Sequence, residues 1–173
     1  VGNHNVMDAM SAYAVATRLG FDPARVCKNL GGYQVSGWRQ NFVEKNGALI
    51  IEDCYNAAPD SMKAAIDTLV SVAKGRKICC FGDMLELGED TDNLHREVGE
   101  YAKEKCVDCM WTYGEKASFI AKGFGDGAKN FATKQELTDY VIKNLKAGDT
   151  IVLKRSHSRK FEDILERIYK YWE

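Results

Sequence analysis

Two hydrophobic patterns follow each other along the chain. Over residues 3–19, Val6, Met10, Tyr13, Ala14 and Ala16 recur at roughly helical spacing, Asn3 or Asn5 is a candidate cap, and Gly20 is the stop. Pro23 opens a second short helix over 23–30, which Gly31-Gly32 ends, and a loop runs on through Gly37. From about residue 38 short apolar runs alternate with amphipathic stretches. The pattern predicts strands at 40–44 and 48–53, joined at Lys45-Asn46-Gly47, where Asn-Gly is a strong hairpin signal. It then predicts helix 59–74, strand 77–81, helix 91–105, strand 108–113 and helix 115–123. A short strand near 129–132, helix 134–145, strand 149–153 and helix 159–171 complete it. Repeated βα units imply an α/β fold with a mostly parallel sheet covered by helices on both faces. Right-handed crossovers then bring every loop that follows a strand to one edge of the sheet. Residues 1–36 read as a helical tail of a preceding domain, and 37–173 as a domain of their own.

Composition adds limits. A chain of 173 residues can bury one good core, and its formal charge of -1 gives no global field to recruit nucleic acid or a membrane surface. No apolar stretch approaches the roughly 20 residues that a membrane span needs. The chain opens on Val1 with no leader pattern, so the expectation is a piece of a longer protein. Of six cysteines, Cys79 and Cys80 lie in an apolar strand, Cys54 lies in a loop, and Cys106-Val-Asp-Cys109 has C-x-x-C spacing without a second ligand pair. Free thiols in a reducing compartment, the cytoplasm, are the reading.

The loops after the strands carry the candidate chemistry. Asp53–Asn56 ends one apolar strand, just before Pro59 opens a helix. Gly82-Asp83-Met84-Leu85-Glu86-Leu87-Gly88 follows another, Tyr113-Gly114-Glu115 a third, and the basic run Lys154–Lys160 a fourth. One rim would thus offer acids on two loops and cations on another. This suits phosphate or carboxylate recognition beside groups able to hold a sugar diol, a metal or an ammonium. Each feature has a plainer alternative. Asp53 can cap a turn, the basic run can be a solvated helix start, and the Gly82–Gly88 loop can be only a long turn. His95, inside the helix 91–105, reads as surface or packing rather than catalytic. No P-loop, zinc motif, nucleophile elbow or dinucleotide glycine motif occurs, and no catalytic or metal-binding residue is assigned.

At these loops a family resemblance becomes specific. Gly2-Asn3-His4-Asn5, Asp53-Cys54-Tyr55-Asn56-Ala57-Ala58-Pro59-Asp60-Ser61-Met62, Gly82–Gly88, His95-Arg96-Glu97-Val98-Gly99 and Lys154-x-Ser156 resemble, in order and spacing, the motifs of the Mur ligases. The second and third of these favour the branch that adds a dipeptide. The resemblance implies three domains: one for the UDP-sugar precursor, a central one with the P-loop, and a Rossmann-like C-terminal lid. This chain would hold the last helices of the central ATPase domain and the whole lid. The implied reaction uses ATP and Mg2+, forms an acyl phosphate, and joins D-Ala-D-Ala to a UDP-MurNAc-tripeptide precursor of peptidoglycan. The fragment alone would be inactive.

Carried over by position, Asn5, Asp8, Arg39, Asp53, Tyr55 and Asn56 would face the nucleotide, with Asp53 accepting the ribose hydroxyls. Asp83, Met84, Glu86, Lys154, Ser156 and Phe161 would border the incoming dipeptide. The chain departs from the family pattern at several points. Asp8 replaces an Asn, and Gly37-Trp38-Arg39 replaces Gly-Arg-Met, so the family Arg is either lost to Trp38 or shifted to Arg39. Ala58 replaces a capping Asn, a loss of about 1 kcal/mol if it is the N-cap. Lys154-Arg155-Ser156-His157 replaces Lys-Gly-Ser-Arg. Two alternatives stay open: a divergent paralogue with an altered nucleotide face and another amine substrate, and a ligand-binding module without catalysis.

Overall fold

The computed structural model describes residues 2–33, 39–155 and 162–171. The chain divides into two compact units, Val1–Ser36 and Gly37–Glu173.

The first unit is a pair of helices, α1 (Asn3–Arg18) and α2 (Pro23–Gly31). Asp22 caps α2, its carboxylate accepting the Arg25 N–H at 2.8 Å, with Pro23 in the first turn. Helix α1 begins after Gly2, whose φ is 100°, without a side-chain cap. Asn3 and Asn5 therefore lie inside the helix instead of capping it. Val6, Met7, Met10 and Val15 on α1, and Leu19 just after it, are each more than half exposed.

The second unit is α/β, as the periodicity predicts. Its strands are β1 (Asn41–Lys45), β2 (Ala48–Asp53), β3 (Lys77–Gly82), β4 (Cys109–Tyr113), β5 (Ala128–Phe131) and β6 (Thr150–Lys154), in the sheet order β1-β2-β6-β3-β4-β5. All neighbours pair in parallel except β1 with β2. Asn46 (φ 48°) and Gly47 (φ 75°) form the two-residue turn of that hairpin, and Lys45 faces Ala48 across it. Two successive left-handed residues are what a tight hairpin turn requires, and Asn-Gly adopts them at least cost. Strand β1 starts one residue later than expected because Gln40 is itself left-handed, with φ 45°.

Helices α3 (Pro59–Val72), α4 (Thr91–Glu104) and α5 (Ala117–Phe124) cover one face, and α6 (Lys134–Asn144) and α7 (Glu162–Tyr171) the other. Alternate strand residues split between two cores. Ile51, Cys79, Phe81, Met110 and Val152 join Met62, Ile66, Leu69, Val98 and Ile120. Ile50, Ile78, Cys80, Trp111, Ile151 and Leu153 join Leu137, Val141, Ile164 and Ile168. The near-continuous apolar runs of the central strands follow from burial on both faces. Helix α5 starts two residues later than expected, after Gly114 at φ 126°. The expected start of the last helix, 159–161, lies outside the described residues.

Helices α4 and α5 meet through glycines. A Cβ on Gly99 would fall 2.0 Å from the Ile120 carbonyl oxygen, and one on Gly123 would fall 2.1 Å from that of Arg96. Neither obstacle is a flexible side chain, so the helices must separate to admit a methyl group. Gly99→Ala is expected to destabilise the second unit by about 2 kcal/mol through overpacking, read as a lowered midpoint in thermal denaturation.

Candidate functional site

The order of the sheet decides which loops meet. Strand β6, last in the chain, inserts between β2 and β3, so the residues ending β2, β6 and β3 become lateral neighbours. Asp53 and Lys154 are Cα partners across β2 and β6. Lys154 Nζ donates to Asp53 Oδ2 at 2.7 Å and to the Asn56 carbonyl at 2.8 Å. The Lys154 side chain is 3% exposed and that of Asp53 12%. Two residues expected to serve different ligands are thus bonded to each other. The cation expected on an open rim is buried, holding the loop after β2 to the end of β6.

Arg155 is buried as well, and lies over Gly82: a Cβ there would fall 2.8 Å from Arg155 Cγ. Its guanidinium carbon is 5.6 Å from the Tyr113 ring centroid. The loop after β3 is held in turn by the start of α5. Asp83 Oδ1 accepts the Ala117 N–H at 2.7 Å, doing for that helix what a local cap would do. Gly114 makes room, since a Cβ there would fall 2.1 Å from Asp83 Oδ1.

Arg39 and Tyr55 come together on the exposed side of this rim. The guanidinium carbon sits 3.7 Å from the ring centroid, and Tyr55 is about half exposed. Arg39 precedes β1, so strand alternation does not govern where it points. Asn56 Oδ1 accepts the Ala57 N–H at 2.8 Å. Ala58 is the N-cap of α3 and offers no side-chain acceptor, as expected. Ser61 offsets part of that loss: its hydroxyl oxygen accepts the Ala58 N–H at 3.0 Å. Glu86, left-handed at φ 62°, is exposed at the tip of the loop after β3. Met84 differs from what a ligand-facing residue requires, because its side chain is 1% exposed and belongs to the core. Asn5 and Asp8 stand on α1 in the other unit, where Asn5 borders a shallow, mainly apolar groove of about 420 Å³ with Val6, Met10, Tyr13 and Leu30. Ser156 and Phe161, like Trp38 and His157, lie outside the described residues.

Two buried polar residues were not anticipated as part of this end of the sheet. Glu52 accepts from Asn41 Nδ2 at 2.8 Å and from the Tyr169 hydroxyl, tying β1 and α7 to β2. Burial and the Glu52 carboxylate push the Tyr169 phenol up. His95 is fully buried, and its Nε2 accepts the Met84 N–H at 3.0 Å. The residues buried on α4 are His95, Val98, Gly99 and Ala102, at positions i, i+3, i+4 and i+7. That stripe was the available signal for His95. Among the described residues no group of three or more His, Cys, Asp or Glu side chains is placed to hold a metal ion. The six thiols are free, and burial pushes that of Cys54 up to about 12. No described helix is long and apolar enough to cross a membrane.

The fold and this rim define a class: an α/β domain whose polar loops converge where the strand order reverses, the usual ligand edge of such sheets. The family model described as "Mur ligase, glutamate ligase domain" matches residues 38–157, and the chain belongs to the Mur ligase family. A UDP-N-acetylmuramoyl-tripeptide–D-alanyl-D-alanine ligase of Bacillus subtilis is 38% identical over 173 residues, covering 96% of this chain and 38% of the relative. The ligase of the same name from Haemophilus influenzae is 34% identical, over 95% of this chain and 37% of its own length. The crystal structure of MurF from Acinetobacter baumannii superposes with a TM-score of 0.90 at 29% identity, covering 98% of this chain and 38% of that one. MurF from Thermotoga maritima in complex with ADP gives 0.76 at 26% identity, covering 92% and 36%. The chain therefore spans less than two-fifths of the length of these relatives.

Removing one member of the Asp53–Lys154 pair leaves a buried charge without its partner. Asp53→Asn or Lys154→Met alone is expected to lose about 3 kcal/mol, and the double variant less than the sum, in urea denaturation. A second prediction concerns acid. Desolvation holds the His95 pKa below its ordinary 6.5, while the unfolded chain binds the proton at the ordinary value. The unfolded state then carries more protons, so this contribution to stability is complete above pH 6.5 and is lost as pH falls toward the depressed value. Denaturation midpoints at pH 7.5 and 5.5 should differ less in His95→Gln than in the parent sequence.

Proposed function

We propose that this chain is the C-terminal part of an ATP-dependent ligase that joins D-alanyl-D-alanine to the UDP-MurNAc-tripeptide peptidoglycan precursor through an acyl phosphate in the cytoplasm. Residues 1–36 would be the helical tail of the central ATPase domain and 37–173 the lid. The observation that carries the reading is the 38% identity to the Bacillus subtilis ligase, which extends over 96% of the chain and so through both units. The apolar surface that α1 leaves exposed supports it, since such surface is covered within a complete domain.

The residues present fit the edge of a nucleotide and not its polyphosphate. The Arg39 guanidinium stacked on Tyr55 offers a planar, cationic surface to a base, and Asp53 offers a carboxylate acceptor at the adjoining strand end. With no P-loop in the sequence, the phosphates and Mg2+ are assigned to the parent's central domain. Lys154, held between Asp53 and Asn56, and the loop from Asp83 to Glu86 would border the dipeptide. Ser156 and Phe161 keep that assignment from the family pattern alone. Closure of a lid over the acyl phosphate would exclude water from an intermediate that hydrolyses readily.

The test uses the full-length parent with UDP-MurNAc-tripeptide, ATP, Mg2+ and D-alanyl-D-alanine. Phosphate release dependent on all three substrates is expected. No release with D-alanyl-D-alanine or with any other amine substrate would overturn the reading.

A further inference from the structure

The loop Gly82–Gly88 is held by a buried imidazole whose hydrogen bonds define its tautomer. A backbone N–H can only donate, so His95 Nε2, 3.0 Å from the Met84 nitrogen, carries no proton. Nδ1 lies 2.6 Å from the Thr91 carbonyl oxygen, which can only accept, so Nδ1 bears the hydrogen. Both ring nitrogens are thus engaged: one within α4, the other on a different loop. The residue that His95 holds stands between two others with distinct tasks. Asp83 before it spans to Ala117, and Leu85 and Glu86 after it are exposed at the tip.

Glu86 supplies a second observation. It is not glycine, yet its φ is 62°, a conformation unfavourable for an ordinary side chain and kept only where the surroundings impose it. The bond from Met84 N–H to His95 and the buried Met84 side chain are two such restraints, placed two residues before it. Asp83, Asp92 and Lys116 are the charged groups whose fields reach the imidazole.

We infer that His95 is a positioning residue for the amine substrate: through the Met84 N–H it fixes the turn that presents Leu85 and Glu86 to the incoming dipeptide. It touches neither substrate nor nucleotide, and its effect is confined to the loop it holds. This inference rests on the ligase reading above.

Two variants of the full-length ligase separate the two bonds of the ring. His95→Asn places an amide N–H near the position of Nδ1, keeping the bond to Thr91 and leaving Met84 N–H without an acceptor. His95→Gln places an amide oxygen near the position of Nε2 and keeps that acceptor. The Asn variant is expected to raise KM for D-alanyl-D-alanine about tenfold, with KM for ATP within about twofold, and the Gln variant to stay within about threefold of the parent. Amide hydrogen exchange at Met84 should accelerate in the Asn variant alone. Equal KM values and equal Met84 exchange in the two variants would overturn the inference, as would a loss shared equally by ATP and dipeptide. An inactive parent sinks the ligase reading and with it the assignment to the amine. Met84 exchange then decides whether His95 restrains the loop at all, because that readout needs no substrate.

Discussion

A lysine and an aspartate 101 positions apart in sequence meet at 2.7 Å where β6 enters the sheet, and the rim is organised around that meeting. Taking both charges out of water is costly, and a buried pair survives only when its remaining hydrogen-bonding capacity is used. Lys154 goes part of the way by using a second of its three donors on the Asn56 carbonyl. One ammonium therefore binds the end of β2, the loop beyond it and the end of β6 together. Because β6 is the last strand in sequence and β2 the second, this corner joins the two ends of the second unit's sheet-forming sequence.

The neighbouring loops follow the same logic with smaller parts. Gly82 lets Arg155 lie flat over the end of β3, and Gly114 lets the Asp83 carboxylate reach the first turn of α5. His95 reaches from α4 to the loop after β3, and Tyr169 from α7 to Glu52. Most polar side chains at this end serve a loop or strand other than their own. The rim is preorganised by cross-links between elements, the condition under which side chains keep a geometry a ligand can use. Arg39 and Tyr55, from before β1 and after β2, stack on each other at the surface instead.

How legible this was in the sequence depends on the range of the interaction. Element type and order followed from local periodicity, and the Asn46-Gly47 turn from local conformational preference. At the starts of β1 and α5 a left-handed residue, Gln40 or Gly114, moved the boundary, and φ is not written in hydrophobic pattern. The burial of His95 was within reach of the helical stripe it shares with Val98, Gly99 and Ala102, but its partner was not, since Met84 belongs to another loop. Nor was the pairing of Asp53 with Lys154. It requires that β6 stand between β2 and β3, and alternation of strands and helices is compatible with many strand orders. Burial likewise places Lys154 and Arg155, expected as cations on an open rim, in the interior.

The pairing bears on what Asp53 can still do. An ionised carboxylate has about four acceptor positions on its two oxygens, and Lys154 engages Oδ2. The side chain keeps 12% of its surface exposed. The ammonium thus orients the carboxylate without exhausting it, as a carboxylate orients an imidazole in other sites. A diol hydrogen-bonding to such an oxygen meets an acceptor whose rotamer is already settled and loses less entropy in doing so. On this argument the buried pair and the role assigned to Asp53 at the nucleotide are compatible. Under the proposed reading Lys154 would then support the nucleotide edge through Asp53 as well as border the dipeptide.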